Sequence, residues 1–276
     1  MPEPMMKTPD FLTRIIEQKR VRLAHARSLR SLTEMREEAL RVRGASRPHA
    51  LRAALEGEGG YNVIAEIKRA SPSLGDIRRD AAPAEIALRY EAGSAAAISV
   101  LTEEDHFKGS LEDLREVRAV TPLPLLRKDF IFDEWQLYEA AAAGADALLL
   151  IVAALEDATL ARLCRIVEDE LKMDALVEVH TLEELGRASR CGANVIGVNN
   201  RNLHSFEVSL ETSVELIGHA PAGAILISES GLRTHADLRR LRSLGYRGFL
   251  VGETLMRSGD PAEALRVLLS EESPGE

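Results

Sequence analysis

Helix-period segments that close on glycine and are followed at once by short buried apolar runs predict an α/β protein, a (β/α)8 TIM barrel with an N-terminal helical extension. The pattern occurs four times, with Gly93 before 96–101, Gly144 before 147–151, Gly192 before 195–198 and Gly245 before 249–251. Glycine suits the left-handed cap that ends a helix, and an apolar run without alternation suits a parallel strand covered on both faces. Four further runs, at 63–68, 123–128, 175–179 and 224–228, bring the strands to eight. Eight strand-then-helix units within residues 61–270 match the size of a closed barrel. An open doubly wound sheet is the alternative, although no Gly-x-Gly-x-x-Gly follows the first strand to mark a dinucleotide site.

In chain order, Thr8, Pro9 and Asp10 supply a helix start, and Phe11, Leu12, Ile15, Ile16, Lys19 and Leu23 then repeat at helical spacing. This predicts one long helix whose charged continuation runs through Arg43. Arg47-Pro48 breaks it, and 50–55 forms a second short helix that ends near Gly57, Gly59 and Gly60. Residues 1–60 are therefore expected to be a helical extension packed on the barrel, 61–270 the barrel, and 271–276 a disordered tail. Within the barrel, helical patterns fall at 83–91, 110–119, 134–143, 156–171, 181–189, 213–217 and 234–243, with a closing helix at 261–269.

Composition narrows the function classes. Of 276 residues, 45% are hydrophobic, enough for a sizeable core, and 35 basic against 44 acidic residues give a net charge of −9. That balance argues against a nucleic-acid partner. No run of about 18 apolar residues is present, so no membrane span is expected, and the start of the chain carries no secretory signal, which predicts a cytoplasmic protein. Cys164 and Cys191 lack any Cys-x-x-Cys partner and read as small buried hydrophobes in a reducing compartment, with neither a disulfide framework nor a metal site.

The chemistry is expected at the carboxyl ends of the strands, where barrel enzymes keep their sites. Side chains two apart on a strand share a face, so Glu66 and Lys68 point the same way as Ile64. The third strand ends Arg127-Lys128-Asp129, the fifth Glu178-Val179-His180, the sixth Asn199-Asn200-Arg201, the seventh Ser228-Glu229-Ser230-Gly231 and the eighth Gly252-Glu253-Thr254. Lysines and carboxylates converging on one rim repel or pair unless a ligand holds them, which points to a functional site. Backbone N–H groups of Ser230-Gly231 and Gly252-Glu253 suit a phosphate, with the Glu253 carboxylate pointing outward. His180 reads as a neighbour rather than a catalyst, and Ser228 and Ser230 form no nucleophile elbow.

The segments 65–73, 99–103, 127–131, 197–203, 228–231 and 250–253 together resemble indole-3-glycerol phosphate synthase, in order, from about Phe11 to Met256. The resemblance implies a lyase of tryptophan biosynthesis. It closes the indole ring of 1-(2-carboxyphenylamino)-1-deoxyribulose 5-phosphate with loss of carbon dioxide and water, without cofactor or metal. It also implies an N-terminal helix packed near the active-site mouth. Residue by residue, Lys128 matches the general acid and Lys68 the lysine that holds charged groups of the substrate. Glu178 and Glu66 match acid/base carboxylates, and Asn199 and Ser230 match polar residues that orient substrate and carboxylates. Phe107, Arg201 and Leu203 match the anthranilate pocket, and Ser71, Gly231, Gly252 and Glu253 the phosphate site. His106 stands beside Phe107 where an aromatic is common. The expected partner is a small phosphorylated substrate, and the expected state a monomer or weak homodimer. Two other readings of the same rim are a Schiff-base aldolase acting on a sugar phosphate and a non-catalytic phosphosugar-binding barrel.

Overall fold

Each of the eight apolar runs forms a strand buried on both faces, and the strands close on one another because alternate side chains must find two different cores. A computed structural model describes residues 11–270 except Glu58, Gly59, Leu74 and His204. The helix start at Thr8 to Asp10 and the tail at 271–276 lie outside the described residues. The barrel strands are β1 (Asn62–Ile67), β4 (Ala97–Leu101), β5 (Leu125–Lys128), β6 (Ala147–Ile151), β7 (Asp174–Val179), β8 (Val195–Asn199), β9 (Ile225–Glu229) and β10 (Gly248–Val251). They run in the closed order β1-β10-β9-β8-β7-β6-β5-β4, every pair parallel. Closure overturns the open-sheet alternative. A two-stranded hairpin, β2 (Ala70–Ser71) and β3 (Gly75–Asp76), follows β1 and was not expected from the sequence.

One parity of each strand faces the barrel axis. Ile64, Ala97, Leu126, Ala147, Leu149, Ile151, Leu176, Val195, Ile225, Ile227 and Leu250 make an inner cluster, whereas Val63, Ala65, Ile98, Leu148, Val177, Ile196 and Phe249 join the cluster under the helices. Around them lie α4 (Pro83–Ala92), α5 (Leu111–Val120), α6 (Glu134–Ala142), α7 (Asp157–Arg165), α8 (Leu182–Arg190), α9 (Glu211–Ile217), α10 (His235–Leu244) and α12 (Pro261–Leu269), with a four-residue α11 (Glu253–Met256) directly after β10. The helix expected over 156–171 instead changes at Ile166–Glu170 to a π-helical turn. Cys164 is buried as expected, but Cys191, at the end of α8, is only half-buried, and their sulfurs lie 3.8 Å apart as free thiols.

The N-terminal extension is three helices. The expected single helix is interrupted at Ser31, whose hydroxyl accepts from the Glu34 N–H while the Glu34 carboxylate accepts from the Ser31 N–H. This capping box separates α1 (Phe11–Leu29) from α2 (Leu32–Arg43). Helix α2 is pinned by Arg43, a buried guanidinium that donates to the carbonyls of Leu171, Ala145, Arg47 and Lys172 and to Asp146. Helix α3 (Ala50–Leu55) plugs the amino-terminal end of the barrel with Leu51 and Leu55, and Gly248 leaves the room, since a Cβ there would come within 3.2 Å of Leu55.

Helix α1 reaches the opposite end. Its buried Lys19 ammonium lies 2.7 Å from Asp129 and 3.0 Å from Glu104. Burial alone would push the Asp129 carboxyl up, but Lys19 and then Arg127 hold it down to about 2. An acid held below its unfolded value contributes stability that is complete above about pH 4 and is lost as pH falls toward 2, here about 2.5 kcal/mol in all. Lys19→Met is expected to lower the unfolding free energy by about 1 to 2 kcal/mol near pH 7. That deficit should shrink by about pH 3 in denaturant titrations, and an equal deficit at both pH values would assign Lys19 a packing role only.

Candidate active site

Continuing the inward parity to the carboxyl ends of the strands replaces apolar residues with charged ones. Glu66 on β1 with Lys68 beyond it, Lys128 on β5, Glu178 on β7, Asn199 on β8 and Glu229 on β9 all follow inward apolar residues by two positions or four. Strands β5 and β9 stand on opposite sides of the closed order, and Lys128 spans the mouth between them. Its Nζ lies 3.1 Å from Glu178 and 3.1 Å from Glu229. Lys68 pairs instead with Glu66 at 2.7 Å. Room for these carboxylates comes from inward glycines, because a Cβ at Gly197 would collide with the Glu229 carboxylate and one at Gly252 with that of Glu66.

Two ammonium groups thus face three buried carboxylates, and the imbalance shows in their protonation. Burial pulls Lys128 down, but Glu178, Glu229 and Glu66 outweigh it and hold the ammonium above its ordinary range. Burial would raise Glu178, yet Lys128 and then His180 keep it below the usual carboxylate range. Glu229 goes the other way, pushed up to about 7 by burial, with Lys128 opposing and Glu178 reinforcing the shift. A lysine nucleophile must shed its proton at neutral pH, so a Lys128 held protonated does not fit the Schiff-base reading and does fit a proton donor.

Beside this cluster, Asn199 Oδ1 accepts from the Ser230 hydroxyl at 2.9 Å and from the Arg201 N–H at 3.0 Å. Ser230 and Gly231 take positive φ values of 66° and 83°, turning the chain sharply back after β9. The Arg201 guanidinium donates to the Phe206 carbonyl at 3.1 Å and to Ser73 at 3.3 Å, tying its loop to the β2–β3 turn. The charged cluster opens into a cavity of about 390 Å³ whose far wall is apolar, with Phe107, Phe130, Leu203 and Phe206, and Phe11 and Leu12 from α1. Phe107 and Phe130 lie 6.3 Å apart, and Phe11 stands edge-on to both His106 and Phe206. His106 therefore packs beneath α1 as an aromatic would, with Nε2 3.1 Å from Gln18.

Ser71, Gly231, Gly252 and Glu253 also line the cavity. Gly252 precedes α11, whose first N–H groups have no partner within the helix, and the Glu253 carboxylate turns toward Arg257, 3.5 Å away. The structure brings Lys128, Lys68, Glu178, Glu66, Asn199, Ser230, Phe107, Arg201, Leu203 and these four residues to one cavity. Glu66 and Lys68, expected from strand alternation to point the same way, form their own ion pair. Sequence reading missed Glu229 and Phe130. The signal for Glu229 was available: it shares the parity of Ile225 and Ile227, whereas Ser228, of opposite parity, is buried against Ser213 and Asn200.

An acid whose folded value is raised favours folding fully below its unfolded value, near pH 4, and that contribution is lost as pH rises through about 7. Unfolding free energies of the unmodified chain and of Glu229→Gln, measured from pH 5 to pH 8, are expected to diverge. The unmodified chain should lose on the order of 3 kcal/mol relative to the variant. Parallel curves would mean that Glu229 stays ionised throughout.

Comparison with known proteins agrees with this geometry. A family model described as Indole-3-glycerol phosphate synthase matches residues 12–268. A protein of Carboxydothermus hydrogenoformans named indole-3-glycerol phosphate synthase is 46% identical over 267 residues, covering 94% of this chain and 100% of that one. A protein of the same name from Rhizorhabdus wittichii is 47% identical over 262 residues, covering 94% and 98%. Among solved structures, 3-hexulose-6-phosphate synthase from Salmonella typhimurium superposes with a TM-score of 0.61 at 13% identity over 75% of this chain and 96% of that one. KGPDC from Streptococcus mutans gives 0.58 at 16%, over 76% and 96%. At such identity these two share the barrel only. A lysine-bridged carboxylate cluster at the mouth of this barrel, and relatives of one name matched along nearly the whole chain, place the protein in the indole-3-glycerol phosphate synthase family.

Proposed function

We propose that Lys128 is the proton donor of the ring closure and that Glu66, Lys68, Glu178 and Glu229 move or balance the remaining protons. The reaction is that of the family: 1-(2-carboxyphenylamino)-1-deoxyribulose 5-phosphate loses carbon dioxide and water to give indole-3-glycerol phosphate. The ring carbon bearing the carboxylate attacks the ketone carbon, and the ketone oxygen takes a proton from the Lys128 ammonium as its negative charge develops. Loss of carbon dioxide then restores the aromatic ring. Dehydration follows when a carboxylate takes a proton from the methylene carbon beside nitrogen and an ammonium gives one to the departing hydroxyl. The Glu66–Lys68 pair, with base and acid 2.7 Å apart, suits that second step. Glu178, kept ionised by Lys128, is the fixed counter-charge, and Glu229, close to half-protonated at neutral pH, can return a proton to Lys128.

The substrate's three parts match three kinds of residue in the cavity lining. Its aromatic ring suits the wall of Phe107, Phe130 and Leu203, its phosphate the N–H groups of Gly231, Gly252 and Glu253 with the Ser71 hydroxyl, and its ketone the lysines between them. Asn199 and Ser230 orient the carboxylates, and Arg201 positions the apolar loop. The observation that carries this reading is Lys128 held protonated across the barrel mouth by two carboxylates. We infer further that the chain works in the cytoplasm as a monomer or weak homodimer. In support, no described helix is long and apolar enough to cross a membrane, and the exposed large apolar residues are spread over α1, α4, α5, α8, α10 and the loop after β8. Sedimentation at micromolar concentration tests the oligomeric part, and a stable higher oligomer would overturn it.

Lys128→Ala is expected to lower kcat by roughly 10²-fold or more while changing KM far less, the pattern of a group used mainly in the transition state. The assay follows indole absorbance or fluorescence, and unchanged kcat would remove Lys128 from the donor role. Glu66→Gln should likewise lower kcat, and single-turnover experiments should then show release of carbon dioxide ahead of indole formation. Simultaneous slowing of both would instead place Glu66 in ring closure.

A further inference from the structure

We propose that His49 Nδ1, Glu168 Oε2 and Asp174 Oδ1 form a binding site for one divalent transition-metal ion at the amino-terminal end of the barrel, opposite the reaction site. The three residues come from three places: His49 precedes α3, Glu168 lies in the π-helical turn after α7, and Asp174 opens β7. Their ligand atoms all lie within 4.8 Å of one another. Nδ1 of His49 is 3.4 Å from Asp174 Oδ1 and 3.5 Å from Glu168 Oε2. Ligand bonds of about 2.1 Å around a tetrahedral ion set ligand–ligand edges of about 3.4 Å.

Two features distinguish this group from an ordinary acidic cluster. Asp174 is fully buried, yet its Oδ1, like His49 Nδ1, has no hydrogen-bond partner, an arrangement that costs free energy unless something occupies the space between them. The second oxygen of each carboxylate is held by a backbone donor, which fixes the orientation of Asp174 Oδ1 and Glu168 Oε2. Asp174 Oδ2 accepts from the Arg52 N–H at 2.9 Å and Glu168 Oε1 from the Ala175 N–H at 3.0 Å, the supporting shell that orients metal ligands. Asn194 donates to Glu168 Oε2 from 3.3 Å.

Among the described residues the competing cation is Arg52, whose guanidinium is 3.5 Å from Glu168 Oε2 and 3.6 Å from Asp174 Oδ1. The first is a long hydrogen bond and the second an ion pair only, and one arginine offsets one of the two carboxylates. Arg52 is about a quarter exposed and can swing to solvent, and His49 at 28% exposure provides the way in. One imidazole nitrogen with two carboxylate oxygens is a zinc-like set, unlike the all-oxygen sets of calcium and magnesium. A bound ion would tie the helical extension to β7 and serve stability rather than turnover.

The test uses the full chain, stripped with a chelator and titrated with zinc chloride or cobalt chloride alone. Equilibrium dialysis should give one zinc per chain, cobalt should develop visible ligand-field absorption, and Tm should rise by roughly 5 °C at a hundredfold excess over Kd. His49→Gln and Asp174→Asn should each weaken binding at least about tenfold and remove the shift, leaving kcat unchanged. Absence of stoichiometric binding would overturn the proposal. So would a shift that survives both variants and disappears in Cys164→Ser, which would place the ion at the thiol pair.

Discussion

The barrel mouth is organised by one ammonium group. Lys128 reaches across from β5 to Glu178 on β7 and Glu229 on β9, and none of these charges could be buried without the others. Three carboxylates against two lysines leave one negative charge in excess, which is why one carboxyl, Glu229, rises toward neutrality while Glu178 stays ionised. The same arrangement dictates the glycines. Gly197 and Gly252 occupy inward positions where any side chain would displace a carboxylate, so the charged cluster and the empty positions of the neighbouring strands are two sides of one packing problem.

Strand alternation separates that cluster from a second, structural network one residue away. Lys128 points inward, but Arg127 and Asp129 point into the helix layer. There Arg127 donates to Thr102, Asp129 and Glu139, and Thr102 donates to Asp129. Asp129 then receives Lys19 from α1. A three-residue stretch therefore couples Lys128 to the helix that roofs the cavity, with Phe11 of that helix edge-on to the loop aromatics. The extension serves both ends of the barrel: α1 narrows the mouth and α3 fills the base, with Arg43 of α2 fastening the loops that lead into β6 and β7.

Much of this was legible in the residues themselves. Doubly buried strands announce themselves as apolar runs, and the glycine-terminated helices before them set the rhythm, so all eight strands lie where the pattern puts them, to within a residue or two at each end. Polar residues at strand ends pointed to the site because a barrel gathers those ends on one rim. Glu229 is marked by sharing the parity of Ile225 and Ile227, and the break at Ser31 by its Ser-x-x-Glu signature, so both signals stand in the sequence. The β2–β3 hairpin and the π-helical turn had no such signal, since the first rests on two short bridges and the second on how a helix end meets the barrel base.

By itself the sequence determined the alternation of elements, the inward identity of each charged residue and the kinship of the chain, because these follow from local periodicity and from residue types at fixed spacing. Only the tertiary structure decided which charges pair. That Lys128 answers Glu178 and Glu229 while Lys68 answers Glu66, and that Lys19 crosses to Asp129, depends on the stagger of a closed barrel and on distances between residues up to 110 positions apart. Protonation is settled at the same level, since burial and the nearest opposite charge, not residue type, set which carboxyl keeps its proton. The His49, Glu168 and Asp174 group belongs to this class too: His49, more than a hundred positions from the other two, joins them only when the helical extension docks under the barrel.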